Sequence, residues 1–316
     1  MEEKEIGKAT EGDEISDFSS QPEGVVAKIL SLTTPSDACR SSAVSRIFNA
    51  AAQSDIVWDK FLPPDWELLI SRLKPSNLNF DPISSRKKEI FFSLCDNPVL
   101  IDDGNKSLSL EKWSGKKCIM LGARDLSIVW GDTSTYWTWE HHPDSRFAEV
   151  AELLNVWWFE IRGRISCKML SPKTTYAVYF VFKMSNPDYG GFDIDPADAT
   201  VGILGTENHR RSVCLDPYLD NPQQQHSYAR WMMRPQSESM SGSERPQERH
   251  DGWFEIELGE FQSGDEDDEI EIVLKEVKGS SAKSGLIVEG IEIRPKPDRP
   301  CCMKDFMKAL VLLLLL

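Results

Sequence analysis

Three stretches decide the fold: Trp157–Ile165 (WWFEIRGRI), Thr175–Phe182 (TYAVYFVF) and Trp253–Leu258 (WFEIEL). The first two are dense in β-branched and aromatic residues, which suit a pleated, half-buried surface. The third alternates strictly. Phe254, Ile256 and Leu258 fall on one face, with Trp253, Glu255 and Glu257 on the other. Glu269–Leu274 and Leu286–Ile293 (LIVEGIEI) extend the pattern. With shorter runs near Leu126, Val201, Val213 and Trp231 the total is roughly nine strands, separated by Gly, Pro, Asn and Ser clusters. This predicts an antiparallel β-sandwich, jelly-roll-like, over residues 113–295. A helical insert is expected at Phe147–Leu154. Pro235–Gly252, rich in Ser, Glu and Arg without periodicity, is expected to be a mobile loop.

Working back toward the N-terminus, the period changes to that of helices. Val25, Val26, Ile29 and Leu30 form one apolar stripe. Thr34-Pro35-Ser36-Asp37 opens a helix with a hydroxyl cap, Pro at the first helical position and an acid in the first turn. That helix carries Ala38, Ala43 and Val44, with Phe48 following, and a third holds Ile56, Val57, Trp58 and Phe61. Three short helices in 21–62 bury little surface between them, so a partner is expected to cover the remaining apolar face. Pro63-Pro64 breaks the pattern. Helical stretches at Trp66–Leu73 and Ser85–Leu94, around a turn at Asn77-Leu78-Asn79, make 63–112 a connector packed on the following domain. The chain is thus α+β and multidomain.

The two ends differ from the rest. Residues 1–20 hold seven acids and two bases and are expected to be disordered. Residues 296–316 finish in an apolar run from Ala309 to Leu316, well short of the ~20 residues a bilayer crossing needs. No membrane role is expected.

Fifty-one acids against 36 bases give a net charge of −15. Phosphate neutralisation supplies most nucleic-acid affinity, so general nucleic-acid binding is excluded. The seven cysteines contain no CxxC pair, and the acidic start has no apolar signal core. Reduced thiols in the cytoplasm or nucleus follow. The sequon Asn105-Lys106-Ser107 is then not expected to be glycosylated.

Catalytic signatures are missing: no P-loop, no GxSxG elbow, no HExxH, no dinucleotide fingerprint. No catalytic residue, cofactor or metal is expected. His141-His142, near Glu140 and Asp144, would diverge on a strand, and the acid run Asp265–Glu269 lacks the Gly of a calcium loop. The most informative cluster is WGDTSTYWTW, Trp130–Trp139. Aromatics interleaved with Gly, Asp, Thr and Ser suit a sugar platform, where C–H faces stack on indoles and polar groups meet hydroxyls. The alternative places Trp139 or Trp130 inside the sandwich as a plug.

Longer runs then carry a resemblance. Pro22-Glu23-Gly24, Ile29–Arg40 (ILSLTTPSDACR) and Ser42-Ala43-Val44-Ser45 resemble the F-box of plant phloem-protein-two-like proteins. Trp130–Trp137, Ser145-Arg146-Phe147 through Glu152–Val156, Glu160–Gly163, and Asp251-Gly252-Trp253 through Leu258–Phe261 resemble the lectin-like domain of that family. The resemblance spans about residues 21–295. It implies an F-box that docks on the Skp-type adaptor, and through it the cullin, of a ubiquitin ligase. Pro22, Ile29, Leu30, Val44 and Trp58 are the implied contacts or their support. Gln21 stands where such F-boxes usually have Leu, which removes ~1–3 kcal/mol of burial.

The resemblance also implies a lectin of the tobacco-agglutinin (Nictaba) type, recognising N-acetylglucosamine oligomers and the N-glycans of a glycoprotein substrate. Trp130 and Trp137, seven residues apart, would shape the site, with Glu255, Glu257 and Glu260 as the assisting acids. Two rivals stay open: a sandwich that binds a protein or small molecule without sugar, and a glycosidase with two carboxylates ~5–9.5 Å apart.

Overall fold

The computed structural model describes residues 22–72, 85–185, 189–206, 208, 210–219, 243–264, 267–278 and 281–296. The acidic segment 1–20, the turn at Asn77-Leu78-Asn79, Asp265 of the acid run, the strand near Trp231, the first part of the Pro235–Gly252 loop, Cys301-Cys302 and the apolar end Ala309–Leu316 lie outside them. The chain divides into two units between Pro63 and Pro64.

The first unit contains helices α1 (Glu23–Leu30), α2 (Pro35–Ser41), α3 (Arg46–Ala52) and α4 (Asp55–Phe61). The expected three helices are four, because Ser45 starts a helix of its own. Its hydroxyl accepts from the Phe48 amide, as Thr34 accepts from Asp37 and Ser54 from Ile56. Each cap satisfies a donor that the first helical turn leaves unpaired. Val26, Ala27, Leu30, Phe48, Ala51, Val57 and Trp58 form the interior. The Trp58 Nε1 donates to the Ala52 carbonyl at 2.8 Å, and Phe61 meets the Trp58 ring edge-on. Val25, Leu32, Val44 and Ile56 remain exposed.

The second unit opens with α5 (Trp66–Arg72) and α6 (Lys87–Asp96), which bury Leu69 and Ile70, and Ile90, Phe91 and Leu94. They pack on β1 (Val99–Ile101) and β2 (Lys106–Leu110) respectively. Those two strands fall inside the stretch read as a helical connector, and the three residues of β1 are too few to show a period.

Among the described residues twelve more strands follow: β3 (Lys117–Gly122), β4 (Ser127–Ile128), β5 (Trp137–Glu140), β6 (Val150–Leu153), β7 (Phe159–Ser166), β8 (Thr175–Met184), β9 (Ala197–Ile203), β10 (Arg210–Val213), β11 (Gln247–Glu248), β12 (Phe254–Gln262), β13 (Glu269–Glu276) and β14 (Leu286–Pro295). One antiparallel sheet runs β1-β2-β3-β14-β8-β12-β11, with β6 also on β14 and β5 on β6. The other runs β10-β9-β13-β7-β4. At Gly163 on β7 an added Cβ would meet Leu121, Leu126 and Ile291 at 3.1–3.3 Å, so the sheets touch there through a missing side chain.

Two expectations are corrected here. Phe147–Leu154 is not a helix, because Val150–Leu153 pairs with both β5 and β14. A four-residue run that fits either period is decided by the free edge available to it. Within 243–252, Gln247 and Glu248 are strand rather than loop, paired with Glu255 and Phe254.

The alternation in β12 holds, yet the face carrying Trp253 and Glu255 is not simply solvated. Trp253 is fully buried with Met120, Phe147, Val150, Val181 and Ile287. Its Nε1 donates to the Asp144 carbonyl at 3.2 Å. Beside it Arg249 binds Glu292 at 2.6 Å and Glu255 at 2.9 Å, while Arg294 binds Glu255 at 2.7 Å. Buried charges persist when paired in this way.

Candidate functional site

The site begins where β4 hands the chain from one sheet to β5 of the other. Residues 129–136 fold back on themselves: Gly131 N donates to Ile128 O, Thr133 N to Trp130 O, and Tyr136 N to Thr133 O. Trp130 has φ +59°, a left-handed conformation that few bulky residues adopt. Two indoles hold it there. Trp137 Nε1 donates to the Val129 carbonyl at 3.2 Å, and Trp139 Nε1 to the Gly131 carbonyl at 2.8 Å. Arg124 lies 3.7 Å over the Trp139 ring. With the carbonyls on both sides pinned, Trp130 is left 46% exposed, 5.3 Å from the half-turned ring of Tyr136. Asp132, Thr133, Ser134 and Thr135, between the two in the chain, are all exposed.

Trp137 therefore does not offer an open face. It is 2% exposed, and it was Trp130 or Trp139, not Trp137, that sequence alone suggested as the plug. The resemblance implies one site for Trp130 and Trp137, but Trp137 opens β5 opposite Leu153 and is buried.

A second segment faces this loop. Val129 N donates to Glu160 O at 3.1 Å, and Leu154 N donates to Tyr136 O at 2.9 Å. Residues 130–135 and 155–159 are thus enclosed between the same two hydrogen bonds. Trp157 and Trp158, read from sequence as the start of a strand, precede β7 and stand 60% and 47% exposed. Sequence reasoning missed them as surface residues. The available signal was their adjacency: neighbours in a strand take opposite faces, so two indoles in succession cannot both enter one core.

Trp158 Nε1 donates to Glu160 at 3.0 Å, and Arg162 Nε donates to the same carboxylate at 2.7 Å. Burial works to raise the Glu160 pKa. The hydrogen bonds from Trp158 and Arg162 outweigh it and hold the carboxyl below its usual range. Behind Trp157, the buried Lys283 donates to the Trp157 carbonyl at 3.1 Å and the Ser281 carbonyl at 3.0 Å, and pairs with Glu276.

Glu255, Glu257 and Glu260 are not brought to this loop. Between β12 and β5 stand β8, β14 and β6, about 19 Å at ordinary strand spacing. Their carboxylates are already engaged, Glu255 by Arg249 and Arg294, Glu257 by Arg211 and Glu260 by Lys296. Alternation identified a polar strand face, but strand order, which fixes distance, is not written in it. His142 rests against Trp253, its rings 5.1 Å apart, and Asp144 pairs with Lys183.

The implied adaptor residues divide. Leu30 and Trp58 lie in the interior of the helical unit, Ile29 at its margin, and Pro22 and Val44 on the surface. Val25, Leu32 and Ile56 are exposed as well. Among the described residues no helix is long and apolar enough to cross a membrane.

A family model described as Phloem protein 2 matches residues 116–295. Similar proteins of Arabidopsis thaliana include F-box protein PP2-B10, 45% identical over 285 residues covering 89% of this chain and 95% of that protein. F-box protein PP2-B1 is 43% identical over 310 residues, covering 88% and 90%. F-box protein SKIP3 is 42% identical over 284 residues, covering 89% and 89%. The share and length of these matches, and their agreement with a helical unit followed by antiparallel sheets, establish that the chain belongs to the F-box protein PP2-B family and carries a Phloem protein 2 domain.

Proposed function

We propose that the chain is the non-catalytic substrate receptor of a cullin–RING ubiquitin ligase. Residues 21–62 act as the F-box and dock on a Skp-type adaptor, which joins them to the cullin. Residues 63–112 connect, and 113–295 act as the lectin domain that holds a glycoprotein through its N-glycans or N-acetylglucosamine oligomers. The work is done in the cytoplasm or the nucleus. Catalysis is by proximity: a bound glycoprotein is kept at high effective concentration near the ubiquitin-charged subunit.

The observation that carries the sugar reading is the exposed Trp130–Tyr136 pair, on backbone pinned by two indole N–H groups, with exposed Asp132, Thr133, Ser134 and Thr135 between them in the chain. Rings presented singly among hydroxyls and a carboxylate suit a ligand with alternating C–H faces and hydroxyl edges. Leu154, exposed beside Tyr136, favours a second reading in which the same surface takes a protein.

A glycan array on the purified full chain separates the two. The sugar reading expects binding to N-acetylglucosamine-containing glycans that Trp130→Ala abolishes. No binding by the unsubstituted protein, or equal binding after Trp130→Ala, leaves the protein ligand.

A further inference from the structure

Residues from three elements converge behind the Trp130 loop. Arg124 lies in the single turn Ala123–Asp125 after β3, Trp139 lies on β5, and Glu149 stands immediately before β6. The Arg124 Nε donates to the Glu149 carboxylate at 2.8 Å, and its guanidinium lies 3.7 Å over the Trp139 ring. The Nε1 of that ring donates to the Gly131 carbonyl at 2.8 Å. Gly131 is buried and follows Trp130, whose φ is +59°. An added Cβ at Gly131 would stand 3.1 Å from the Ile128 carbonyl oxygen, so the backbone is already closed against the end of β4. One chain of contacts thus runs from Glu149 through Arg124, Trp139 and Gly131 to Trp130.

Among the described residues β5 pairs with β6 alone, so no second ladder braces Trp139. A guanidinium over an indole face holds the ring plane and polarises its N–H toward the acceptor. The hydrogen bond from Arg124 keeps the Glu149 carboxyl below its usual range. The two side chains are 38% and 43% exposed. A surface pair of this kind adds little to global stability, which leaves the local order of the loop as its consequence. We infer that Arg124, backed by Glu149, is a positioning residue for the ligand site: it acts through Trp139 to set the backbone that presents Trp130, without touching the ligand. The inference rests on the Trp130 loop being the ligand site proposed above.

The test reads loop and ligand separately on the full chain. Amide hydrogen exchange follows Gly131, Thr133 and Tyr136, whose N–H groups close the turn. Calorimetric titration uses the N-acetylglucosamine trimer. Arg124→Ala is expected to speed exchange at those amides and to weaken trimer binding about two- to fivefold. The melting temperature of the sandwich should not move. Trp139→Phe keeps a ring beneath Arg124 but removes the N–H, and should weaken binding about two- to tenfold. The double variant should lose no more than Trp139→Phe alone, because Arg124 acts through that N–H. Arg124→Lys keeps a cation at the ring and should restore most of both readouts. Three results would each refute the positioning role: exchange and affinity unchanged in Arg124→Ala, an effect that adds in full to that of Trp139→Phe, or faster exchange throughout the sandwich. If the unsubstituted protein binds no trimer, the glycan reading fails, while loop exchange still decides whether Arg124 sets the backbone.

Discussion

Both units leave large apolar side chains in water, and for opposite reasons. In the helical unit Val25, Leu32, Val44 and Ile56 are exposed because helices of seven or eight residues cannot wrap a small core on every side. In the sandwich the interior is filled, and Trp130, Tyr136, Trp157 and Trp158 are exposed because hydrogen-bonded backbone turns them outward. On the proposed function, the first surface is a deficit that the adaptor would make good. The second is a presentation. Exposed hydrophobic area marks interaction in either case, but what supports it says which kind.

That distinction can be broken by removing the supports. The largest effects belong to interior groups. Trp58→Ala should cost about 3–5 kcal/mol and unfold the helical unit. Calorimetry of the full chain should then lose one transition and keep the sandwich transition. Arg249→Ala should cost the sandwich about 1.5–3 kcal/mol, because Glu292 and Glu255 lose one of the two arginines they share and keep Arg294. Its melting temperature is the readout, and an unchanged value would show that the outer-face network is not structural.

A smaller and pH-dependent effect is expected from Glu160. Its folded pKa lies below the unfolded value, so its contribution is fully present above the ordinary carboxylate range and fades as pH falls through the folded value. Glu160→Gln should therefore melt below the unsubstituted protein at pH 7. The gap should close as the pH is taken below about 4. A gap that widens in acid would reverse the sign assigned here. Smaller again, Thr34→Ala should lower the helical unit by ~1 kcal/mol through its lost cap and leave the sandwich transition in place.

How much of this was legible in the sequence depends on what each pattern encodes. Caps and β-rich runs are local, so Thr34-Pro35, the strands expected at 157–165, 175–182 and 253–258 and found at 159–166, 175–184 and 254–262, and the break at Pro63-Pro64 are legible in the sequence. Short segments whose state is set by an available edge could not: Val150–Leu153 was taken for helix, and β1 went unseen. For the site, composition singled out the loop at Trp130 but not which of its indoles turn inward. Trp137 and Trp139 fix the loop through N–H donation to carbonyls eight residues back, a relation no periodicity reveals. Glu255, Glu257 and Glu260 failed as partners for the loop because distance across a sheet follows strand order. Trp157 and Trp158 were hidden by their own strand-like composition.

The most direct test of the account is affinity purification of the full chain from plant extract, with and without free N-acetylglucosamine oligomer. The account predicts adaptor and cullin in both eluates and glycoproteins in the eluate without competitor alone. Glycoproteins that persist with competitor, or an eluate lacking the adaptor, would contradict it.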